Sequence, residues 1–589
     1  MKGTQSSILA EHLPSREMPW TRYYRNHASA ETLAALTRKT VYQYLVDNNS
    51  QRKSALALEF FGARISYQKL FDRIDQTAKA FSSAGVRSGD FVTICSAGTP
   101  EIVYTFYALS KLGAVSNMMA PYFNHADMID RIRDCRSKIL IVMDKFYPLI
   151  RDVIQSAGIE TLILLPTMNA SPLSLISKRM KPDLPHVTWN QFVRSGKGQP
   201  DRTAVPYTPS QPLAMVYSSG TTGSSKGILL SNDSFQQSVC AYINSGVDLS
   251  PGQKFYQLVP TWFSTGISTS VNLPLACGIS VFMDPRFEKD VFVKNLCKAK
   301  PNYVAAPTSM YEGLLNPDHI KNQDFSQLHY PFEGGEPLKK ETANAINQVL
   351  REHGCTASLL VGYGQCECGA GAATQTPCTP LNNGSVGIPL PGIRIGIFDD
   401  QNRELSYGEH GHILINTPCR MLEYYKNPEA TAQYFYEDSG GVRWSRTGDM
   451  GYLDETGNLF ILGRDTDFTL VGDQKIYHFD IENVLMMTEH IIGCEVLPLR
   501  IDEIAHIAAH LIFDAALSED PSFEARLPEI LRGIQTQILK VTQNPDAVPH
   551  YFKIRKDFPV AASGKRDTAA IARETEGFLS VPCSASAEN

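Results

Sequence analysis

A loop rich in glycine, serine and threonine at residues 217–227 carries groups that suit a polyphosphate. It reads Tyr-Ser-Ser-Gly-Thr-Thr-Gly-Ser-Ser-Lys-Gly and follows an apolar segment, Leu213 to Tyr217, that predicts a strand. Glycines let backbone amides approach an anion, the hydroxyls add donors, and Lys226 adds a positive charge. A flexible linker is the alternative for this composition, and Ser225 before the lysine excludes a Walker A loop. The candidate phosphate-binding residues are Ser218, Ser219, Gly220, Thr221, Thr222, Gly223 and Lys226.

Five further segments place glycine or proline beside charged or aromatic residues. They are Gly334-Gly-Glu-Pro-Leu338, Gly362-Tyr-Gly-Gln-Cys-Glu367, Arg446-Thr-Gly-Asp449, Gly463-Arg464 and Pro559-Val-Ala-Ala-Ser-Gly-Lys565. In this order, together with the loop at 217–227, they resemble the adenylate-forming superfamily of acyl- and aryl-CoA synthetases, peptide-synthetase adenylation domains and luciferases. The resemblance covers about residues 40 to 570. One such motif is a weak signal, whereas the whole set in register is specific.

The resemblance implies a two-step activation of a carboxylic acid. The carboxylate attacks the α-phosphate of ATP to give acyl-AMP and pyrophosphate, and a thiol then displaces AMP. Both reactants of the first step are anions, so positioning and charge neutralisation must supply the catalysis. The implied cofactors are ATP, Mg²⁺ and coenzyme A or a phosphopantetheinyl carrier.

The same resemblance assigns roles to single residues. Lys565 matches the catalytic lysine that bridges the carboxylate and the α-phosphate, and Glu367 matches the Mg²⁺-associated glutamate. Asp449 is expected to accept hydrogen bonds from the ribose, Arg464 to contact ribose or phosphate, and Tyr363 to stack on adenine. Taken singly, each has a commoner structural explanation, such as a surface lysine, a capping carboxylate or a core tyrosine. The other nucleotide-site residues are Gly335, Glu336, Pro337, Gly364 and Cys366.

The acyl pocket is expected to be apolar. Trp262, Phe263 and Gly266 occupy the position of the family's aromatic acyl-site segment, although Trp262 could equally be a core residue. Amino-acid-activating members carry an aspartate near this segment, whereas here no acidic residue follows until Asp284. A fatty or aryl acid is therefore favoured over an α-amino acid. The pocket is also assigned Gly362 and Gly369.

The resemblance further implies a small C-terminal domain that rotates between the two half-reactions. It would begin after Arg464, with Thr466 as the hinge residue and with Gly472 and Asp473 lining a tunnel for the thiol. Rotation would move Lys565 away from the site and open that tunnel.

Several positions depart from the family pattern. Ser225 replaces the common proline before the loop lysine, and His478 stands where proline is also common. Cys366 replaces the usual threonine beside the glutamate and exchanges a hydroxyl donor for a weak thiol donor. None of these changes removes an essential charge. A divergent active enzyme and a nucleotide-binding relative with little turnover both stay open.

The elements that must position these residues alternate between strands and helices. Strands are predicted at Phe91 to Cys95, Ala114 to Met118 and Lys138 to Asp144, with helices at Pro100 to Gly113 and Ala126 to Cys135 between them. Such alternation indicates βαβ units and a largely parallel sheet. Later segments predict helices at Pro337–His353 and near Pro528–Val541, and antiparallel strands within Gly384–Pro418.

The expected fold class is therefore α/β. The resemblance further implies a large N-terminal domain (1–464) with two parallel-sheet subdomains and a small antiparallel barrel-like subdomain. A small mobile α+β domain (465–579) follows, and residues 580–589 are expected to be a disordered tail.

Composition narrows the function classes. The chain has 589 residues, with 55 Lys plus Arg against 61 Asp plus Glu, a net charge of -6, which disfavours a dedicated nucleic-acid binder. It contains no apolar run of about 18 residues and no apolar N-terminal signal, which predicts a cytoplasmic protein without a transmembrane segment. The 12 cysteines show no regular framework and are expected to be reduced thiols.

The leading hypothesis is an ATP-dependent acid–CoA ligase acting on a small-molecule carboxylic acid. The second is a stand-alone adenylating enzyme that loads a separate carrier protein, and the third is a relative that binds nucleotide with little turnover. A homodimer is compatible with the sequence. The acid and the acceptor thiol are not fixed by it.

Overall fold

The structure is a computed structural model of the 589-residue chain. It describes residues 13–24, 38–175, 180–218, 225–336, 338–379, 384–472, 474–502, 504–559 and 566–582.

The strands are β1 (Leu56–Phe60), β2 (Ala63–Ser66), β3 (Phe91–Cys95), β4 (Val115–Met118), β5 (Ile139–Met143), β6 (Thr161–Leu165), β7 (Val187–Thr188), β8 (Pro212–Tyr217), β9 (Gly227–Ser231), β10 (Lys254–Gln257), β11 (Ser280–Met283), β12 (Tyr303–Ala306), β13 (Tyr330–Gly334), β14 (Leu360–Tyr363), β15 (Ala373–Thr374), β16 (Ile388–Pro389), β17 (Arg394–Phe398), β18 (Gly411–Asn416), β19 (Glu423–Tyr424), β20 (Phe435–Glu437), β21 (Arg443–Leu453), β22 (Leu459–Arg464), β23 (Phe468–Val471), β24 (Gln474–Tyr477), β25 (Ile491–Ile501), β26 (Ile504–Phe513), β27 (Tyr551–Ile554) and β28 (Leu579–Ser580).

The α-helices are α1 (Pro14–Glu17), α2 (Val41–Asn48), α3 (Tyr67–Ser83), α4 (Pro100–Leu112), α5 (His125–Asp134), α6 (Arg151–Ser156), α7 (Trp189–Ser195), α8 (Asn232–Ile243), α9 (Leu273–Ala276), α10 (Lys289–Ala299), α11 (Thr308–Tyr311), α12 (Pro317–Ile320), α13 (Lys340–Glu352), α14 (Pro428–Tyr434), α15 (His478–Met486), α16 (Ala515–Ser518), α17 (Phe523–Thr542) and α18 (Thr568–Ala572). A π-helix spans Thr265–Asn272 and a 3₁₀ turn spans Cys366–Cys368.

Two large mixed sheets dominate the chain before Arg464. One has the strand order β19-β9-β8-β4-β3-β5-β6-β7 and the other β16-β15-β14-β13-β12-β10-β11-β1-β2. Their central strands pair in parallel, and antiparallel pairs such as β8 with β9 and β1 with β2 lie towards the edges. The predicted α/β class and the βαβ units of the first half are confirmed.

Helix α4 shows how the two sheets share one core. It begins with Pro100, ends before Gly113, and every one of its residues is buried. The cluster around it contains Leu58 from one sheet and Val92 from the other, so the helix lies between the two layers. A helix that is apolar on all sides is expected in such a position.

The carboxyl ends of the sheet strands carry most of the predicted site segments. Tyr217 ends β8, Gly334 ends β13 and Tyr363 ends β14, and each is followed directly by one of the motifs. Ligands of open α/β sheets bind at this edge because the loops there converge.

A five-stranded sheet follows, built from β17, β18, β20, β21 and β22. Its β17–β18 and β18–β21 pairs are antiparallel, which confirms antiparallel strands within Gly384–Pro418. Strand β19 pairs with β9 of the eight-stranded sheet and ties this part of the chain to the phosphate-loop hairpin.

After Arg464 the chain forms a separate apolar cluster. The strand order β25-β26-β27-β28 makes a four-stranded sheet, and α15 and α17 pack on it. Strands β23 and β24 form a two-stranded hairpin beside it. The boundaries 1–464 and 465–579 stay predictions.

Two predicted helix starts were wrong. Helix α13 begins at Lys340 rather than Pro337, because Lys339 has an extended backbone. Helix α17 begins at Phe523, and Pro528 lies inside it, because the buried face with Leu531 and Ile534 outweighs one lost amide hydrogen bond.

The predicted disordered tail from residue 580 also needs correction. Ser580 pairs with Tyr551 in the β27–β28 ladder. Val581 is buried, and its amide donates to the His550 carbonyl at 2.9 Å. Burial of this valine fixes the chain here, and residues 583–589 lie outside the described residues.

Within the described ranges, the helices are too short or too polar to cross a membrane. The cysteines described there are all free thiols.

Candidate active site

Asp449 is the centre of a dense hydrogen-bond cluster on the five-stranded sheet. It lies on β21 directly opposite Arg464 of β22, whose Nε is 3.1 Å from Asp449 Oδ1. The Tyr363 hydroxyl and the Gln365 side-chain amide donate to Oδ2 at 2.5 and 2.9 Å. Burial raises the pKa of the Asp449 carboxyl, while Arg464 and the two hydrogen bonds act in the opposite direction. Predicted residues from three separate motifs therefore meet at one carboxylate.

The cluster gives Tyr363 a contact that the sequence did not predict. Its hydroxyl is engaged by Asp449 and its ring packs against the apolar cluster that contains Ile395. Gln365 was not assigned a role, although its amide also donates to the Thr447 carbonyl at 2.7 Å. Adenine stacking by Tyr363 stays a prediction.

Glu367 lies in a second cluster, on the 3₁₀ turn that follows β14. Its Oε1 accepts a hydrogen bond from the Tyr424 hydroxyl at 2.9 Å, and its carbonyl accepts from the Met421 amide at 2.7 Å. The Lys226 ammonium lies 5.0 Å from the centroid of the Tyr424 ring, within cation–π range. Burial raises the pKa of Glu367, and Arg464 and Lys226 oppose that rise. Tyr424 thus connects the loop lysine to the glutamate.

The ends of the phosphate loop are closed by two hydrogen bonds. The Ser218 amide donates to the Lys226 carbonyl at 3.2 Å, and the Lys226 amide donates to Ser218 Oγ at 3.3 Å. The Ser225 carbonyl also accepts from Arg131 Nη2 at 2.9 Å. Five predicted residues of this loop lie outside the described residues, namely Ser219, Gly220, Thr221, Thr222 and Gly223.

Gly335 and Glu336, two predicted nucleotide-site residues after β13, have different surroundings. Gly335 has φ 91° and open space where a Cβ would lie, so backbone can be approached closely here. The Glu336 carboxylate instead accepts from the amide and hydroxyl of Ser309, at 2.9 and 3.2 Å. Pro337 lies outside the described residues.

Gly364 is required by a backbone crossing. A Cβ at this position would lie 1.7 Å from the Ala370 carbonyl oxygen, so every other residue would displace one of the two strands of chain. The crossing holds the turn that presents Glu367. Cys366 is half-buried and packs against the core shared by the two large sheets.

Trp262 lies in an aromatic group at the predicted acyl segment. It is buried, donates from Nε1 to the Tyr122 hydroxyl at 3.2 Å, and makes edge contacts with Tyr122 and Phe146. Phe263 is half-buried beside it. The ring therefore has a packing role, and an acyl contact stays a prediction.

The other acyl candidates lie on three different elements. Gly266 lies on the π-helix, a rare form that is frequent at functional sites. Gly362 lies on β14, and Gly369 follows the 3₁₀ turn of Glu367. Asp284 is paired with Arg286 and Asn295, so its charge is satisfied away from a ligand.

The predicted hinge lies directly beside the Asp449 cluster. The Asp465 amide donates to the Gly448 carbonyl at 2.9 Å, and Thr466 Oγ1 donates to Asp467 at 3.3 Å. His412 lies between Asp400 and Asp465, at 2.9 and 3.7 Å. These contacts fix the residues on both sides of Thr466. Gly472 lies in the β23–β24 turn, and Asp473 lies outside the described residues.

Lys565 lies outside the described residues, but both ends of its segment are placed. The Asp567 amide donates to the Pro559 carbonyl at 2.8 Å, so these ends meet. Arg566 pairs with Glu495 of β25 and donates to the Cys494 carbonyl at 2.8 Å. On the same strand, the Ile492 carbonyl accepts from Lys339, which follows the Gly334–Leu338 segment. The base of the Lys565 segment therefore lies on a strand that also contacts the residue after the Gly334–Leu338 segment.

The residues present suit ATP and a magnesium ion. Glu367 offers a half-buried carboxylate held by a hydroxyl, next to Lys226. Within the described ranges no group of three or more acidic, His or Cys side chains could hold a metal alone. Mg²⁺ is normally held by one or two carboxylates together with substrate phosphates, and this donor set fits that pattern.

Three residues with direct contacts to the site were missed by sequence reasoning. Tyr424, Gln365 and Arg131 contact Glu367, Asp449 and Ser225 across 57, 84 and 94 residues of chain. Local spacing carries no signal for such contacts. The sequence offered two hints, the place of Gln365 inside the Gly362–Glu367 motif and the pair of tyrosines at 424–425.

Comparison with known proteins agrees with the geometry. The AMP-binding enzyme family matches residues 45–425, more than half of the chain. A long-chain-fatty-acid–CoA ligase of Bacillus subtilis (strain 168) is 23% identical over 572 residues, which are 93% of this chain and 96% of that protein. The fatty acid–[acyl-carrier-protein] ligase ScoC of Streptomyces coeruleorubidus is 26% identical over 445 residues, covering 72% of this chain and 77% of that protein.

A solved structure shares the fold. The anthranilate CoA ligase AuaEII in complex with anthranoyl-AMP superposes with a TM-score of 0.75 at 21% identity, over 92% of this chain and 98% of that one. The family match, the motif order and this fold lead to one conclusion. The chain belongs to the AMP-binding enzyme family, within the adenylate-forming superfamily that includes acyl- and aryl-CoA synthetases.

Proposed function

We propose that this enzyme uses ATP to activate a carboxylic acid as acyl-AMP and then transfers the acyl group to a thiol, releasing AMP and pyrophosphate. The observation that carries the proposal is the meeting of Lys226, Tyr424 and Glu367 at the strand ends, beside the cluster around Asp449. A positive charge and a cation-binding carboxylate lie there together with a carboxylate suited to a ribose. Such a set fits ATP better than any single-anion ligand.

In this mechanism the chain supplies charge and orientation. Lys226 and Arg464 would balance the charge of the triphosphate, and Asp449 would orient the nucleotide through its ribose hydroxyls. Glu367 would hold Mg²⁺, which when bound neutralises phosphate charge. Tyr424 keeps the glutamate oxygen in one position through its hydroxyl.

Lys565 would complete the site by binding the carboxylate and the α-phosphate oxygens as negative charge develops. Its ammonium would come from the segment whose ends lie at Pro559 and Arg566. Movement of the residues after Arg464, about Thr466, would then remove it and admit the thiol along Gly472 and Asp473. The division into 1–464 and 465–579 belongs to this proposal.

The substrate proposed is a fatty or aryl acid. The fatty-acid ligases and the anthranilate ligase among the relatives favour an apolar acid. The aromatic group around Trp262 and the internally paired Asp284 support the same choice. Coenzyme A is the proposed acceptor and a separate carrier protein is the alternative, because both kinds of ligase occur among the relatives. A cytoplasmic location stays a prediction.

The test is pyrophosphate release with a panel of fatty, aryl and amino acids, in the presence of ATP and Mg²⁺. Lys565→Ala should abolish this release and leave thioester formation from supplied acyl-AMP largely intact. Lys556→Ala removes an exposed lysine of the same region and should change neither reaction. Release with no acid in the panel, or equal loss of both half-reactions in Lys565→Ala, would reject the assignment. Thioester formation with coenzyme A or with carrier protein identifies the acceptor.

A further inference from the structure

Arg131 makes a contact with the end of the phosphate loop that no motif assigns. It lies on α5, and its Nη2 donates to the Ser225 carbonyl at 2.9 Å across 94 residues of chain. Ser225 is buried and directly precedes Lys226. The carbonyl belongs to the peptide bond that joins Ser225 to Lys226, so the bond acts on the position of the lysine.

Arg131 is itself held in place. Its Nη1 lies 3.6 Å from Asp134 Oδ2, and the other oxygen of Asp134 lies 3.8 Å from the Lys426 ammonium. Next to Lys426, the Tyr425 amide donates to the Gly227 carbonyl at 2.7 Å. Residues on both sides of Lys226 are therefore anchored, one by a guanidinium and one by a backbone hydrogen bond.

This anchoring restricts the backbone at position 225. Serine leaves φ free, whereas a loop that must present a lysine to an anion needs a fixed backbone at this point. A hydrogen bond from a charged donor is stronger than a neutral one and can supply that restriction. The hydrogen bond to the Ser225 carbonyl also holds the Arg131 guanidinium close to the loop.

We propose that Arg131 is a positioning residue for ATP, which fixes the Ser225–Lys226 peptide so that Lys226 points at the triphosphate. The inference rests on the proposed function, because it needs ATP at this site. It does not give Arg131 contact with the substrate. Its effect should fall on ATP binding and leave binding of the acid unchanged.

The test compares two arginines of the same helix. Arg131→Met should raise the Kd for ATP and the KM for ATP by about tenfold, with kcat and the KM for the acid nearly unchanged. Arg133 also donates to a carbonyl, that of Ser156, at 2.8 Å, but away from the loop. Arg133→Met should therefore leave ATP binding as in the wild type.

Rescue separates positioning from simple charge. Proline at 225 restricts φ, so Ser225→Pro should shrink the ATP defect of Arg131→Met to about threefold or less. Arg131→Lys keeps the charge and one donor, and should fall between Arg131→Met and the wild type. If Lys restores full affinity while Ser225→Pro restores none, charge alone acts and the positioning role is wrong. Thermal unfolding of each variant identifies loss of folding, and a variant that fails to fold is replaced by Arg131→Gln.

Direct measurement of ATP binding distinguishes a failure of the proposed function from a failure of the role given to Arg131. Wild-type protein that does not bind ATP would reject the proposed function. Wild-type protein that binds ATP, with equal affinity in Arg131→Met, would reject only the role of Arg131. A matching rise in the KM for the acid would also reject it.

Discussion

Two carboxylates of the candidate site, the buried Asp449 and the half-buried Glu367, have different surroundings. Asp449 accepts hydrogen bonds or an ion pair from Tyr363, Gln365 and Arg464. Glu367 has one side-chain donor within the described residues, the Tyr424 hydroxyl. Burial raises the pKa of both groups, but only Asp449 has an arginine in direct contact.

The difference suits the two carboxylates to different roles in the proposed function. The Asp449 cluster is complete before a ligand arrives, so it can orient a neutral group such as a sugar at little reorganisation cost. Glu367 has fewer donors, and in the proposed function a bound cation would balance its charge when it is ionised. A preorganised carboxylate and one with fewer donors therefore occur side by side in one site.

The largest expected effect is at the carboxylate with fewer donors. Glu367→Gln removes the charge that would hold Mg²⁺, so kcat for adenylation should fall about 100-fold or more. Pyrophosphate release over a magnesium titration measures it. Glu352→Gln is the control, because Glu352 is exposed at the end of α13, contacts Gln348 and should matter much less. Equal losses in both variants would contradict a specific role of Glu367.

A smaller effect is expected at the preorganised carboxylate. Asp449→Asn keeps the shape but weakens the hydrogen bonds to a ribose and the pairing with Arg464. ATP affinity should fall by about 10- to 100-fold, equivalent to roughly 1.5–3 kcal/mol, with kcat changed less. Equilibrium binding of ATP measures it. Unchanged affinity would contradict the ribose assignment.

The smallest effect is expected at His412, which supports the Asp449 side through Asp465. Its pairing with Asp465 and Asp400 raises the pKa of the imidazole above its ordinary value of 6.5. The pairing should therefore stabilise the fold fully below pH 6.5, and this stabilisation is lost as pH rises through the raised pKa.

His412→Gln should accordingly lower the free energy of unfolding by less than about 1 kcal/mol near pH 6, because the pair is partly exposed. The difference from wild type should shrink towards pH 9. Denaturant unfolding at several pH values measures it, with the exposed His410→Gln as control. A difference that grows with pH would contradict the sign.

Much of the fold could be predicted because its signals are local. Pro100 and Gly113 enclose α4 as predicted, and strand β3 lies at Phe91–Cys95. The start of α13 could not be predicted from the sequence. Its N-cap residue, Lys339, has an extended backbone and makes no side-chain capping hydrogen bond, so no capping residue marks the first turn of the helix. Ser580 joined a sheet through the burial of Val581, a tertiary effect with no sequence signal.

The motifs predicted which residues lie near the nucleotide, but they did not predict which of those residues contact each other. Tyr363, Asp449 and Arg464 were expected near the nucleotide, and the structure brings them together. Their mutual hydrogen bonds, the capping role of Glu336 and the contacts of Tyr424 depend on how distant strands align. Such alignment is set by packing, which composition and spacing do not encode.

The pairing of β19 with β9 has a consequence for synthesis. Tyr424 lies opposite Ile228, so the strand that brings the tyrosine to Glu367 joins a sheet whose other members were made far earlier. Contacts of such long separation form late, because the intervening chain must first lose its freedom. A nascent polypeptide that ends before residue 423 would lack the strand that brings Tyr424 to Glu367. Assembly of the candidate site is thus delayed until the chain has been made as far as Tyr424.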